Sequence, residues 1–390
     1  MKISGIIAEY NPFHSGHKYM IDKMRQNTDA IIAVMSGSFV QRGDTAVFDK
    51  WTRAKAALLN GVDLVVELPA VFASATAERF CSGAVDLISS LGCVDELCFG
   101  SECGDIKTLS AAADALLAED AETSSKLKEY LALGCGFPAA REKAYEGIIP
   151  AGLLSQSNNI LAIEYIKALK KLNSSVKPAT LQRNGDSYNS AKITSKLASA
   201  TALRTLIFSK SDYSDYVPDN LYDLYKGATL YSVSNLDNAI LYALRSADEK
   251  YLSEIADVSE GLENRLKQAA KSACGFSDIV EIVSSKRYPR TKIMRITVSV
   301  LLGIKKELLY QKNSYIRVLG FNDTGRTLLK KIKSSSELPI IIKTADWNGD
   351  SILFEKDILA TDIAALCAFD NAKKTGGRDY TTPPVYIRSE

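Results

Sequence analysis

The chain's only two histidines, His14 and His17, are three residues apart and enclose Ser15-Gly16. Residues three apart share one face of a helix, so two imidazoles at this spacing can donate hydrogen bonds to the same group. A pair of N–H donors over a phosphate would stabilise the charge that develops as pyrophosphate leaves. A helix beginning at Gly16 would aim its free N–H groups and positive dipole end at the same spot. Gly16 itself would let the backbone approach a phosphate closely. Two other readings exist: both histidines are structural, or both bind a metal. The metal reading lacks a third ligand of recognisable spacing, because there is no further histidine. Nucleotide-phosphate chemistry is therefore the reading these residue types favour.

The elements around the pair agree with it. An apolar run at Ile3–Ala8 leads directly into the histidine segment, and similar runs follow at Ala30–Met35, Leu64–Leu68 and Leu97–Gly100. Between them lie helical periodicities, one capped by Asp49 and ending near Gly61, another capped by Thr76 and ending at Gly92. Strands alternating with helices at this spacing predict βαβ units and a parallel sheet, whose ligands bind at the carboxyl ends of the strands. Further on, 109–133 reads as one amphipathic helix, 160–171 as another, 176–182 as a fifth strand and 199–209 as a helix opening on small hydroxylated residues. After about Ser214 the alternation stops and helices dominate up to Gly303. Two apolar runs, 315–321 and 338–343, then flank a basic helix. The expected fold class is α/β: a Rossmann-like domain with a parallel sheet over residues 1–215, then a mostly helical α/β C-terminal domain over 216–390.

Several polar residues fall at predicted strand ends or helix starts. Ser36-Gly37-Ser38-Phe39-Val40-Gln41-Arg42-Gly43 follows the second strand, and Arg42 there is as consistent with a phosphate or carboxylate partner as with a solvated loop. Gly100 ends the fourth strand and would permit close approach of a nucleoside. One of Asn158 and Asn159 is expected to cap a helix. Arg183 follows the fifth strand, before a turn at Asn184-Gly185-Asp186-Ser187-Tyr188. Hydroxyls at Ser199 and Thr201 open a helix that carries Arg204. Lys50, Arg53 and Lys55 read as a solvated helix face. The densest basic stretch runs from Ser285 to Arg295, with Lys286, Arg287, Arg290, Lys292 and Arg295 and no acid.

Composition narrows the class. The chain has 390 residues, 46% hydrophobic and 24% charged, the profile of a two-domain globular protein. A net charge of +2 does not by itself announce a nucleic-acid binder, so a polyanion site must come from local clustering. No apolar run is long enough to span a bilayer and no signal peptide is recognisable at the N-terminus. The seven cysteines are odd in number and lack CxxC spacing, so neither a zinc site nor a disulfide framework is expected, and a reducing cytoplasm fits.

His14-Ser15-Gly16-His17 resembles the signature of the HIGH-motif nucleotidyltransferases. The longer segment Gly5-Ile6-Ile7-Ala8-Glu9-Tyr10-Asn11-Pro12-Phe13-His14-Ser15-Gly16-His17 is similar to the bacterial tRNA(Met) cytidine acetate ligase family. Met35 to Asp44, Phe99-Gly100-Ser101-Glu102, Ser157 to Leu161 and Ser285 to Arg290 extend the resemblance over most of the chain. Gly43-Asp44-Thr45 departs from the family's Gly-Glu-Pro, and Ala198 and Ala200 depart from its second phosphate motif. The resemblance implies ATP, with Mg2+, as the activating substrate. It implies an ATP site formed by Ile7, Ala8, Glu9, Tyr10, Asn11, Pro12, Phe13, His14, Ser15, Gly16, His17, Lys18, Tyr19 and Met20. Gly100, Asn158, Asn159, Arg183, Ser199 and Thr201 join that site, and His14 and His17 are its catalytic pair. It further implies acetate and elongator tRNA(Met) as partners, with acetate activated as acetyl-adenylate and passed to the wobble cytidine. An adenylating domain upstream turns the 286–295 stretch into a candidate tRNA surface. Phosphate contacts would come from Lys286, Arg287, Arg290, Lys292 and Arg295, and base stacking from Tyr288. No metal site, membrane or protein partner is expected. Two alternatives remain: a small-molecule adenylyl- or cytidylyltransferase, and a non-catalytic RNA-binding relative.

Overall fold

The computed structural model describes residues 1–183, 199–259 and 261–388. The expected turn at Asn184 to Tyr188, and Ala198, lie outside the described residues. Among the described residues ten strands form: β1 (Ile3–Ala8), β2 (Ala30–Ser36), β3 (Phe39–Val40), β4 (Asp44–Thr45), β5 (Leu64–Leu68), β6 (Glu96–Ser101), β7 (Lys177–Gln182), β8 (Ile316–Asn322), β9 (Ile340–Ile341) and β10 (Val385–Ile387). Eight of them make one sheet in the order β10-β8-β5-β2-β1-β6-β7, with β9 pairing β8 to the side. β1, β2, β5, β6 and β7 run parallel, as the alternation of strands and helices predicts. The central strands β2 and β5 are buried throughout, so their runs are nearly continuously apolar, while the edge strand β7 is only partly buried.

The sheet is mixed rather than purely parallel. β8 lies antiparallel to β5, and β10 parallel to β8. Residues far along the chain thus complete the sheet begun by the first seventy, and hydrogen bonding crosses the expected boundary at 215/216. The run at 338–343 forms only the two-residue β9. β3 and β4 make a short antiparallel hairpin that the sequence did not signal. Its turn at Gly43 (φ +75°) packs so tightly on the helix Arg290–Leu302 that a Cβ would come within 2.3 Å of the Arg295 backbone nitrogen.

Helix starts follow their caps. Asp49 accepts from Thr52 N–H at 2.8 Å to open α2, the second of the long N-terminal helices (Lys50–Leu59), after α1 (Ser15–Arg25). Thr76 opens the helix Ala77–Ser90. The expected single helix over 109–133 is two, Ile106–Leu117 and Ala121–Ala132, because Asp120 caps a new start by accepting from Thr123 N–H.

The reading of Lys50 and Arg53 as a solvated face is wrong, whereas Lys55 is exposed. Lys50 is fully buried, with Nζ 2.8 Å from a carboxylate oxygen of Glu67 on β5 and 2.8 Å from one of Asp379. Arg317 on β8 reaches Asp379 at 2.7 Å. This buried cluster ties α2, β5 and β8 to the C-terminal segment. Charges so placed persist only when paired.

Candidate functional site

The strand order reverses at β1: the chain first builds outward through β2 and β5, then crosses to β6 and β7. The crevice beyond the carboxyl ends of β1 and β6 is therefore the switch point where an open α/β sheet binds ligands. A pocket opens there. Its walls include Ile6 to Asn11, His14, His17 and Met20 from the β1–α1 segment, Phe99 and Gly100 from β6, and Asn158 and Arg183.

His14 is the N-cap of α1. Its Nδ1 accepts the Gly16 N–H at 3.1 Å, and the His17 Nδ1 accepts the His14 N–H at 3.2 Å. The two rings form a reciprocal capping box, a role more often filled by a hydroxyl and a glutamate. Their centroids are 3.8 Å apart with planes inclined by 31°. Each Nδ1 acts as an acceptor, so each neutral ring carries its proton on Nε2, the one polar group left for a ligand. Burial, with Arg183 and Arg204 adding to it, pushes the His14 pKa down to about 3. Burial, then the neighbouring His14 and Arg183, holds His17 well below the ordinary range. The space over Gly16 is taken by the His14 ring, whose Cε1 would lie 2.9 Å from an added Cβ, so glycine serves the cap here.

The segment between β1 and α1 is pinned from several directions. Arg53, fully buried, donates to the carbonyls of Glu9 (2.7 Å), Ser36 (2.9 Å) and Phe48 (3.0 Å), and to that of Gly37. Arg204 donates to Asn11 O at 2.9 Å and to Thr201 Oγ1 at 3.1 Å. The Asn11 side chain accepts from Val47 N–H at 2.8 Å, and the Tyr225 hydroxyl donates to Phe13 O at 3.0 Å. Tyr10, in the left-handed region at φ +46°, packs edge-on against His17 with ring centroids 5.0 Å apart. A non-glycine residue in that region is held by its surroundings, and these bonds do the holding.

The other expected residues divide. Asn158 lines the pocket, and Arg183 Nη1 donates to its side-chain oxygen at 3.4 Å. Asn159 is turned away: its Oδ1 accepts from Cys103 N–H, and its amide donates to Gln156. Neither asparagine is the N-cap. That position is Gln156, and the Glu102 carboxylate satisfies the helix start by accepting both backbone N–H groups, at 3.2 and 2.8 Å. The Arg183 stem covers Gly100, with Cγ 3.0 Å from an added Cβ, so that glycine admits an arginine. Ser199 caps the helix Ala200–Phe208 by accepting from Ala202 N–H, and Ala200 rather than Ser199 or Thr201 reaches the pocket wall. Phe13 is buried in the core beneath the histidines, while Tyr19 faces solvent.

Gln41 is the residue of the expected polar lip that lines the pocket. Phe80, Leu161 and Tyr165 complete the wall and had read only as apolar helix faces. The signal they carried was position, on helices that start beside the strand ends.

In the basic stretch, Lys286, Arg287 and Arg290 are exposed. Arg295 is half-buried and paired with Asp257 at 2.8 Å, so it holds the fold together. Tyr288 is only 6% exposed and lies among Arg265, Arg287 and Lys292 at 5.3–5.7 Å. A ring buried this way has no free face for a base, which corrects the stacking expectation. Among the described residues no cluster of histidine, cysteine, aspartate and glutamate could hold a metal ion, and no helix is long and apolar enough to cross a membrane.

The HIGH Nucleotidyl Transferase family model matches residues 1–379. A tRNA(Met) cytidine acetate ligase of Clostridium perfringens (strain ATCC 13124) is 42% identical over 407 residues, with 100% of both chains covered. One from Thermoanaerobacter sp. (strain X514) is 42% identical over 405 residues, covering 99% of this chain and 100% of the relative. Among solved structures, apo Thermotoga maritima TmcAL superposes with a TM-score of 0.93 at 32% identity. The same protein bound with alpha-thio ATP gives 0.90 at 31%, and 100% of each chain is covered in both cases.

Proposed function

The chain belongs to the tRNA(Met) cytidine acetate ligases, within the HIGH nucleotidyl transferase family, and from that premise we propose how its pocket works. The enzyme binds ATP and activates acetate as acetyl-adenylate. It then transfers the acetyl group to N4 of the wobble cytidine of elongator tRNA(Met), releasing AMP and pyrophosphate. Such a substrate places the enzyme in the cytoplasm.

The histidine capping box carries this reading. The adenosine half of ATP packs against Phe80, Phe99, Leu161 and Tyr165, with Asn158 supplying polar contact. The phosphates lie at the N-terminus of α1, where the Nε2–H groups of His14 and His17 add two neutral donors to the helix dipole. Neutral donors are already in place when charge develops and need no proton change to act. Arg183 supplies a positive field that both rings register, and Arg204 adds to it at His14. Acetate attacks the α-phosphorus in line, and pyrophosphate leaves. The adenylate is itself the activated acyl donor, so no covalent enzyme intermediate is needed. Mg2+ would enter as part of the nucleotide substrate, held on its phosphates. Transfer to tRNA follows, and the exposed Lys286, Arg287 and Arg290 form part of the phosphate-binding surface.

The test is ATP–pyrophosphate exchange. Exchange that depends on acetate and proceeds without tRNA is expected. Exchange indifferent to acetate, with adenylyl transfer to a small phosphate compound, would replace this function with cofactor synthesis.

A further inference from the structure

Acyl transfer to cytidine has a requirement that adenylate formation lacks. The N4 amine is a weak nucleophile, because its lone pair is drawn into the ring, and it must lose a proton as it becomes an amide. The histidines cannot take that proton. Each Nδ1 already accepts a backbone N–H, at 3.1 and 3.2 Å, and each Nε2 carries the ring's hydrogen. Among the described residues that line the pocket, Glu9 is the one acid. Its Oε1 accepts the Gln41 N–H at 2.9 Å, and Arg53 fixes its backbone by donating to its carbonyl at 2.7 Å. Among the described residues no hydrogen bond or ion pair reaches its second carboxylate oxygen, while the buried Arg53 guanidinium lies near enough to favour the charged carboxylate.

We propose that Glu9 is a catalytic residue of the acetyl-transfer step, an inference that rests on the function proposed above. Its carboxylate accepts a hydrogen bond from the cytidine N4 amino group and turns the lone pair toward the acetyl carbonyl. The N4–carbon bond forms, and the bond from the acetyl carbon to the adenylate phosphate oxygen breaks. The electron pair of that bond leaves with AMP. The N4 proton passes to Glu9 and from there to water. Carboxylates pair naturally with the exocyclic amine of cytosine. A uridine would turn a carbonyl oxygen toward the same carboxylate and be repelled, so Glu9 also selects the base.

The test is Glu9→Gln, which keeps an oxygen for the Gln41 N–H but removes the charge and the proton acceptor. Two rates are compared with wild type: acetate-dependent ATP–pyrophosphate exchange, and single-turnover transfer from supplied acetyl-AMP to tRNA(Met). Transfer should fall about 100-fold or more, the usual size of a lost general base, while exchange falls less than about tenfold. Glu9→Asp should recover part of the transfer rate. Transfer at the wild-type rate, or equal losses in both steps, would overturn the proposal, the second by assigning the carboxylate to the nucleotide. A wild-type enzyme that forms no acetyl-AMP would overturn the proposed function itself, and this inference with it.

Discussion

His14 and His17 face each other across the first turn of α1, with ring centroids 3.8 Å apart, and each accepts a backbone N–H of that turn through Nδ1. The helix start is thereby built from the two groups proposed to meet the phosphates. The cap fixes the tautomer of each ring, and the tautomer fixes which nitrogen donates to the ligand. Structure and chemistry cannot be separated at either position, but they differ in size, and that difference can be measured.

Replacing His17 by alanine removes one half of the capping box and one phosphate donor. The lost cap costs about 1 kcal/mol of stability, by analogy with other N-cap truncations. The lost donor lowers adenylate formation about 100-fold or more. Acetate-dependent pyrophosphate exchange and filter-binding of tRNA, measured on the same preparation, should show the first collapse and the second nearly unchanged. Equal losses would make His17 a structural residue.

The buried rings also leave a signature in acid. A histidine in the unfolded chain protonates below about 6.5, whereas His14 resists down to about 3 and His17 is shifted in the same direction. Between pH 6.5 and about 3 the unfolded state therefore binds more protons, and stability falls as pH falls. Each fully shifted ring contributes a slope of up to about 1.4 kcal/mol per pH unit. Urea unfolding of wild type and a His14→Gln/His17→Gln double variant at pH 6 and pH 4.5 tests this. The wild type should lose more stability than the variant over that interval, and parallel losses would contradict the assignment of neutral buried rings.

Lys50→Met would remove the ammonium between Glu67 and Asp379 and leave the two carboxylates sharing Arg317. Removing one partner of a buried ion pair typically costs about 3–5 kcal/mol. Chemical denaturation should show a loss of that size, while Lys55→Met on the exposed side of the same helix should change stability by about 0.5 kcal/mol or less. Similar effects from the two would mean that the buried cluster does not hold the C-terminal segment to the sheet.

For the tRNA surface, Lys286→Ala/Arg290→Ala should weaken tRNA binding and leave acetate-dependent exchange intact. Each lost phosphate contact lowers the slope of log affinity against log salt by about one. An unchanged slope would exclude these side chains from the RNA interface.

Much of the N-terminal half was legible in the sequence, because buried parallel strands and capped helices write their periodicity directly. β1, β2, β5 and the starts at Asp49 and Thr76 fall where pattern and cap chemistry put them. The place of the histidine pair was legible too: both rings sit at the start of a helix beginning near Gly16 and line the pocket beyond β1. What escaped was long-range. Nothing local to Lys50 or Arg53 shows that β8 and Asp379 will bury that side of α2. Tyr288 looked like an exposed aromatic among cations, and only the packing of the helix Leu262–Ser272 and its neighbours hides it. Glu102 as the cap for Asn158 and Asn159 joins residues more than fifty positions apart.

The most direct test of acetyl transfer is to incubate the protein with ATP, isotopically labelled acetate and elongator tRNA(Met), digest the RNA and identify the labelled nucleoside by mass spectrometry. Label is expected in N4-acetylcytidine at the wobble position, dependent on ATP and absent for His17→Ala. No labelled nucleoside, from a wild-type preparation that binds both ATP and tRNA, would contradict it.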